Sequence, residues 1–370
     1  MFRALFVLVL ILTACGDHVG SEGVGVGGVS PSVSSAATVN PKPTFTPNPS
    51  PPAPIVAFPA SLSFVVGTND GLVYPQLLNG KPAGTPVRAC DGQVGTLASY
   101  GRKVLVVCRD ATSRLGLFDV DAGTVSVIPG VEAGEAAWTT LGDAIVYSTR
   151  GACEPPAPIC KSKLMQRDMR TGATQLIDER YGVGGDLRLT GVGVMVWRAL
   201  NMSSFVRAAD EVGTWVLRGT TLERFSPYRF VDGYKGRYVL ETEETSANAG
   251  CCTSVISLTD REQRLTPSSV SNERAIALLE DGRIVAFRPD PGSMVEGSMV
   301  VYRAGLVERI DRGKFSVFRV ARDLNWIVGL GVGPGDTLLG YNVTDGAFAS
   351  ASGDRITALA QIGLAKPPIP

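Results

Sequence analysis

Residues 275–287 read AIALLEDGRIVAF, two apolar runs divided by Asp281-Gly282. Glycine takes the positive φ that a tight reversal needs, and Asp-Gly between apolar runs is a strong hairpin signal. Neither run shows the three-to-four-residue apolar spacing of an amphipathic helix. The segment is therefore expected to be two antiparallel strands joined by a two-residue turn.

TLGDAIVYS (140–148) and SYGRKVLVV (99–107) have the same form, so the hairpin repeats. A second kind of hairpin alternates with it: GLVYPQLLNGKPAGTPV, LGLFDVDAGTVSVI, LMQRDMRTGATQLI, WVLRGTTLERF, VISLTDREQRL, VVYRAGLVERI and LLGYNVTDGAFAS. Its turn markers, Gly80, Gly123, Gly172, Gly219, Arg261, Gly305 and Gly346, lie 41 to 49 residues apart. Four short strands in such a period match one blade of a β-propeller. The first repeat has one strand, SLSFVVG (61–67), before its outer hairpin and lacks an innermost partner. The chain ends with one unassigned strand, DRITALAQIGL (354–364). Pairing the last strand with the first would close a ring and remove an exposed sheet edge. The expected fold is all-β, a seven-bladed β-propeller over residues 58–366 with a tail at 367–370.

The wording EDGRIVAF (280–287) resembles the inner strands of TolB-like and WD-like β-propellers. The resemblance is one of repeat pattern over residues 61–364, without WD dipeptides, and it implies a fold and no particular function.

The chain begins MFRALFVLVLILTACGDHVG, with Arg3 ahead of an apolar run from Ala4 to Leu12. That run is far below the roughly 20 residues of a spanning helix and reads as a secretory signal over residues 1–14. Leu12-Thr13-Ala14-Cys15 resembles the lipobox of bacterial lipoproteins. The resemblance implies cleavage before Cys15 and lipidation of its sulfur, hence a membrane partner through a lipid anchor. Residues 16–57, with six Gly, eight Pro and six Ser, hold too little apolar surface to offset their ordering entropy. With Cys15 they read as a tether over 15–57, spanning roughly 35 Å as a coil. The expected location is the extracytoplasmic side of a cell envelope.

Basic and acidic residues balance at 35 each, so no strong field points to nucleic acid. The folded part is expected to be monomeric and to need no cofactor. Six cysteines remain after Cys15: Cys90, Cys108, Cys153, Cys160, Cys251 and Cys252. An even count in an exported chain favours disulfides. With strands lettered A to D from the axis outward, all six map to the face of the B–C and D–A connections. Two local bridges fit, Cys90–Cys108 and Cys153–Cys160, the latter across a Pro-rich B–C loop. Cys251-Cys252 in NAGCCTS (248–254) is open between a strained vicinal bridge, a redox pair, two thiols and a cross-loop pairing with the third blade.

The single histidine, His18, lies in the tether, so the propeller has none for a Ser–His–Asp or Cys–His mechanism. No Cys-x-x-Cys spacing indicates zinc, and no metal site is expected. DVDAG (119–123) has partial calcium-loop character but sits at a C–D turn, and GLGVGPG (329–335) precedes no helix that could hold a phosphate. Glu241, Glu243 and Glu244 in LETEET could serve carboxylate chemistry on envelope carbohydrate or form a solvated acidic loop. Arg109, Arg150, Arg198 and Arg288 share one repeat position, the end of strand B, where guanidinium groups could clamp carboxylates or phosphates. The alternative is local pairing with acids such as Asp110, Glu132, Glu154 or Asp290. These features favour a non-catalytic binding module acting through the B–C face, to a protein or an envelope ligand, over the carboxylate-dependent enzyme.

Overall fold

In the computed structural model the chain divides into Met1–Pro47 and Asn48–Pro370. The structure describes residues 63–362, apart from 78–81, 155–158, 182, 191–192, 200–212, 227–228, 235–237, 245–252, 260–262, 266–273, 280, 294–295, 304–305, 316, 324, 332–336 and 353–354. The expected signal, Cys15, the tether, the tail and Cys251-Cys252 lie outside the described residues.

Among the described residues every regular element is a strand, and the strands form seven four-stranded antiparallel sheets. The first sheet holds β1 (Ser63–Thr68), β2 (Leu72–Leu77), β3 (Val87–Arg88) and, from the far end of the chain, β28 (Ile356–Gln361). The second is β4 (Gln93–Tyr100), β5 (Lys103–Arg109), β6 (Arg114–Asp119) and β7 (Thr124–Glu132). The third is β8 (Glu135–Trp138), β9 (Ala144–Glu154), β10 (Ile159–Asp168) and β11 (Thr174–Tyr181). The fourth is β12 (Val183–Thr190), β13 (Gly193–Ala199), β14 (Gly213–Arg218) and β15 (Thr221–Ser226). The fifth is β16 (Arg229–Tyr234), β17 (Tyr238–Glu244), β18 (Thr253–Thr259) and β19 (Gln263–Leu265). The sixth is β20 (Arg274–Leu278), β21 (Ile284–Pro289), β22 (Glu296–Arg303) and β23 (Leu306–Lys314). The seventh is β24 (Val317–Asp323), β25 (Trp326–Gly331), β26 (Thr337–Asn342) and β27 (Phe348–Ser352).

Strand β28 pairs with β1 from Phe64↔Gln361 to Thr68↔Ile356, which is the closure expected from the unassigned terminal strands. First strands of neighbouring sheets touch in succession, β28 with β4, β4 with β8, β8 with β12, β12 with β16, β16 with β20, and β24 with β28. Between the sixth and seventh sheets the contact is a shared apolar cluster that includes Val285, Phe287, Met299, Ile327 and Tyr341. Successive sheets set around an axis, with the last strand completing the first sheet, make this a β-propeller.

Alternation explains why these residues form these sheets. Strand residues two apart share a face, and in a propeller both faces of a blade are covered by neighbours. Val104, Leu105, Val106 and Val107 are all buried, with Val104 and Val106 packed toward the first sheet and Leu105 and Val107 toward the third. Trp138 adds a polar tie across one such interface, its indole Nε1 donating to the Ala98 carbonyl at 3.1 Å. Tyr341 does the same between the last two sheets: its hydroxyl donates to Asp311 Oδ2 at 2.5 Å, and Arg309 Nε donates to that oxygen at 2.7 Å. Burial and the Asp311 hydrogen bond push the Tyr341 hydroxyl far above its ordinary pKa, so it stays a donor.

Among the described residues several A–B and C–D turns are closed by local chemistry. Asp119 Oδ1 accepts from the amides of Asp121 at 3.0 Å and Ala122 at 3.1 Å, which accounts for DVDAG as a turn. Asp168 and Asn342 cap their turns in the same way, each four residues before a glycine in the left-handed region, Gly172 and Gly346. The Asp281-Gly282 reversal differs from expectation. Leu279 N donates to Arg283 O at 2.8 Å and Gly282 N to Leu279 O at 3.0 Å, so the loop has three residues and Gly282 takes the positive φ. A three-residue loop ending in left-handed glycine keeps the strand twist as a two-residue loop does, and short-range sequence does not separate them.

Candidate functional site

The opposite end of the sheets, where B–C and D–A connections emerge, carries the residues expected to bind. Strand β1 ends at Thr68, whose hydroxyl oxygen accepts from Leu72 N at 3.0 Å and whose hydroxyl donates to Asp70. Gly71 follows with φ +86°, and its carbonyl accepts from Ala89 N at 2.8 Å and Cys90 N at 3.1 Å. A side chain at Gly71 would collide with the Cys90 carbonyl and lie 2.6 Å from that of Gly92. The B–C turn of one sheet is thereby sewn to the D–A connection leading into the next.

Cys90 and Cys108 form a disulfide with Cα atoms 5.5 Å apart, as expected from their spacing. Both are buried among Val94, Val104 and Val106, so the bridge belongs to the packing between sheets. A disulfide of this kind fits a chain that folds in an oxidising compartment.

Around the bridge the charges are mostly paired. Arg114 binds Asp91 and lies 3.7 Å from Asp110 Oδ2. Asp110 also accepts from the Thr112 amide at 2.9 Å and hydroxyl at 2.6 Å. Burial pushes the Asp110 carboxyl up, but the hydrogen bonds from Thr112, the Arg114 guanidinium and the Asp91 amide outweigh it and hold the pKa below its ordinary value. Arg88 donates to the Asp70 carbonyl at 3.1 Å. Asp290, on the sixth sheet, accepts from Arg312 at 2.9 Å. Asp110 and Asp290 thus serve their own turns and neighbours.

The four arginines occupy related but unequal positions. Arg109 is the last residue of β5, opposite Gln93, and is exposed. Its stem lies against the innermost strand, where a Cβ at Gly95 would stand 2.5 Å from Arg109 Cγ. Arg198 is next to last in β13, opposite Gly184 and Gly213. Arg288 is next to last in β21, opposite Ser298. Arg150 does not end its strand, because β9 continues to Glu154. For the same reason Cys153 and Cys160 lie in strands β9 and β10, as opposed Cα partners, and not in a loop. The Pro-rich sequence between them conceals a ribbon that is antiparallel up to Glu154 and from Ile159. Glu241, Glu243 and Glu244 are likewise strand residues of β17, opposite Ile256, Ser254 and Thr253. The glycines of 329–331 end β25, and 332–335 lie outside the described residues.

One feature of this face was not anticipated. In six of the seven sheets the pairing of strands A and B shifts register near the B–C end. The shifts lie beside Gly95, Gly185, Val231, Ile276, Phe318-Arg319 and Thr357. Such bulges bend and twist a strand and re-aim its side chains, and they gather at rims and sites. Gly95 and Gly185 are a weak sequence signal for them; the other positions carry none. Thr357 shows how one is accommodated: its hydroxyl donates to the Val94 carbonyl of the next sheet at 2.7 Å.

Among the described residues no group of three or more His, Cys, Asp or Glu side chains converges as a metal site. A cleft of about 370 Å³ lies on the other face, between the first two sheets, lined by Pro75, Gly84, Thr85, Arg102, Val120 and Ile362 among others. Arg102 at its rim is paired with Asp121.

No family model matches the chain. No curated protein matches it either. Solved structures match it in shape. An oligogalacturonate lyase in complex with manganese superposes with TM-score 0.51 at 14% identity, over 80% of this chain and 87% of that one. TolB from Acinetobacter baumannii superposes with TM-score 0.45 at 13% identity, over 81% of this chain and 66% of TolB. The β-propeller domain of the trilobed protease from Pyrococcus furiosus gives TM-score 0.47 at 12% identity, over 78% and 97%. At these identities the lyase likeness concerns the fold alone, and it agrees with the propeller topology of the sheets.

Proposed function

We propose that this chain is a lipid-anchored, seven-bladed propeller on the extracytoplasmic side of a cell envelope, and that it binds another protein or an envelope ligand through its B–C face without catalysing a reaction. Cys15 carries the anchor and residues 16–57 the tether. The observation that supports the face is an asymmetry between the two ends of the sheets. Among the described residues, three C–D turns are short and capped, by Asp119, Asp168 and Asn342, whereas the B–C end gathers Arg109, Arg150, Arg198 and Arg288, the bulges, and the connections 200–212 and 245–252. Connections of this length on a rigid scaffold commonly carry recognition.

Two measurements test the reading. Radiolabelled palmitate should enter the wild-type chain and not Cys15→Ser; equal labelling overturns the anchor. For the face, the anchored protein is cross-linked in its native envelope and the principal product is quantified for three forms. The variant with Arg109, Arg150, Arg198 and Arg288 all changed to Ala should lose capture by about tenfold or more, the scale at which buried arginines act in interfaces. The opposite-face variant Arg102→Ala/Asp121→Ala should capture as the wild type does. Loss in the second variant and retention in the first would overturn the assignment.

A further inference from the structure

Among the described residues strand β9 is eleven residues long, against seven for the equivalent strands β5, β13 and β17 and six for β1, β21 and β25. Its first half is supported on both sides. Strand β8 pairs with it from Ile145 to Ser148, and β10 pairs with it from Ala144 to Glu154, with a register shift between Cys160 and Ser162. On the far side of β10, β11 reaches only as far as Tyr181, opposite Lys161. Among the described residues, β9 beyond Ser148 and β10 before Lys161 are paired in the ladder only with each other. This outer piece, carrying Arg150, Cys153, Glu154, Ile159 and Cys160, is a two-stranded ribbon beyond the sheet. Two strands alone are marginally stable in water, because too little apolar surface is covered to offset the ordering of the backbone.

In this outer piece Cys153 and Cys160 are direct Cα partners. Opposed Cα atoms of an antiparallel pair stand about 4.5 or 5.5 Å apart, and disulfides span Cα separations of about 4.4 to 6.8 Å. The backbone register thus meets the distance requirement in either kind of pair. The chain already holds the Cys90–Cys108 bridge, so oxidation of a second suitable pair needs no different environment.

We propose that a Cys153–Cys160 disulfide staples this ribbon and makes it a rigid finger on the B–C face. The finger role rests on the binding reading above; the bond itself does not. The bond forms by exchange with a disulfide-bearing oxidant protein. The thiolate of one cysteine attacks the oxidant's disulfide and gives a mixed disulfide. The second thiolate displaces it, closing the Cys153–Cys160 bond, and the oxidant leaves as a dithiol with the two electrons and two protons. A pre-ordered finger lowers the entropy lost when a partner binds.

The chain's own trypsin sites make the bond readable. Cleavage after Arg150 and Lys161 releases Gly151–Lys161, GACEPPAPICK, which contains both cysteines. Full-length protein exported to a bacterial periplasm, alkylated before digestion, should yield this peptide unalkylated and lighter than the dithiol form by two hydrogen atoms. A doubly alkylated peptide would overturn the proposal. So would a cross-link to Tyr238–Arg261, the tryptic peptide that carries Cys251 and Cys252. Hydrogen exchange supplies the second readout, on a Cys153→Ser/Cys160→Ser variant that keeps Cys90–Cys108. Amides of 150–154 and 159–160 should exchange about tenfold faster or more than in the wild type, with those of β5 and β21 unchanged. Equal protection in the two proteins would mean that the bond, though present, staples nothing. If the bond and its protection persist while the variant captures partner as well as wild type, the finger role fails and the disulfide stands.

Discussion

The two ends of the same sheets are built differently. At the A–B and C–D end the described turns that follow β6, β10 and β26 are closed largely by local chemistry: Asp119, Asp168 and Asn342 cap backbone amides within three residues, and a left-handed glycine completes the turn. At the B–C and D–A end the ties run between sheets, through Gly71 to Cys90, Cys90 to Cys108, and Thr357 to Val94. Local closure at one end leaves little room for variation. Closure by distant partners at the other end leaves the connections free to differ from blade to blade. That difference explains why one end repeats and the other collects special residues.

The sharpest way to break this contrast is to place the same substitution at both ends. Gly71 and Gly123 both have positive φ, but a Cβ at Gly71 meets two backbone carbonyls and one at Gly123 meets nothing within 4 Å. Gly71→Ala is expected to cost about 4 kcal/mol, as backbone strain and an unrelievable clash combine. Gly123→Ala should cost only about 1 kcal/mol, the left-handed penalty alone. Equilibrium denaturant unfolding of both variants measures the difference, and equal costs would refute the distinction between the ends.

Removing the inter-sheet bridge is the next largest change. Cys90→Ala/Cys108→Ala releases a cross-link over a sequence separation of 18, a loss of about 3 kcal/mol in the chain-entropy picture. The loss should appear as a lower thermal midpoint and faster exchange of β4 and β5 amides. Tyr341→Phe, which removes the hydroxyl held by Asp311, should cost about 1 to 2 kcal/mol in the same unfolding experiment.

The smallest expected effect is a pH dependence at the B–C end. The Asp110 carboxyl has its pKa lowered in the folded chain, so its contribution is complete above the unfolded value near 3.9. It is lost as pH falls through the depressed folded pKa. Stability should therefore decline more between pH 5 and about 2 in the wild type than in Asp110→Asn, compared by denaturant midpoints. Identical acid profiles would show that the Thr112 and Arg114 contacts do not favour the charged form.

Much of the architecture was legible in one dimension because it depends on near neighbours. Apolar runs, turn glycines and the unpaired strands at 61–67 and 354–364 were enough to place the ring closure that β1 and β28 display. Arg109 and the Cys90–Cys108 pair were also legible, since a strand end and a short spacing are local features. The ribbon of β9 and β10 was not: prolines at 155, 156 and 158 read as loop, while the ladder on either side of them depends on register. The bulges were hidden for a similar reason, because an extra residue in strand A is defined only against strand B.

By itself the sequence determined the strand type, the four-strand period, the polarity of the turns and the set of cysteines, because each follows from conformational preferences within a few residues. The tertiary structure alone decided which distant groups meet. Thr357 reaches Val94 across 263 positions, and Tyr341 finds Asp311 across 30, contacts that no local preference encodes. They exist because closing the ring brings the first and last described strands into one sheet, and because each blade can bury its faces only against its neighbours.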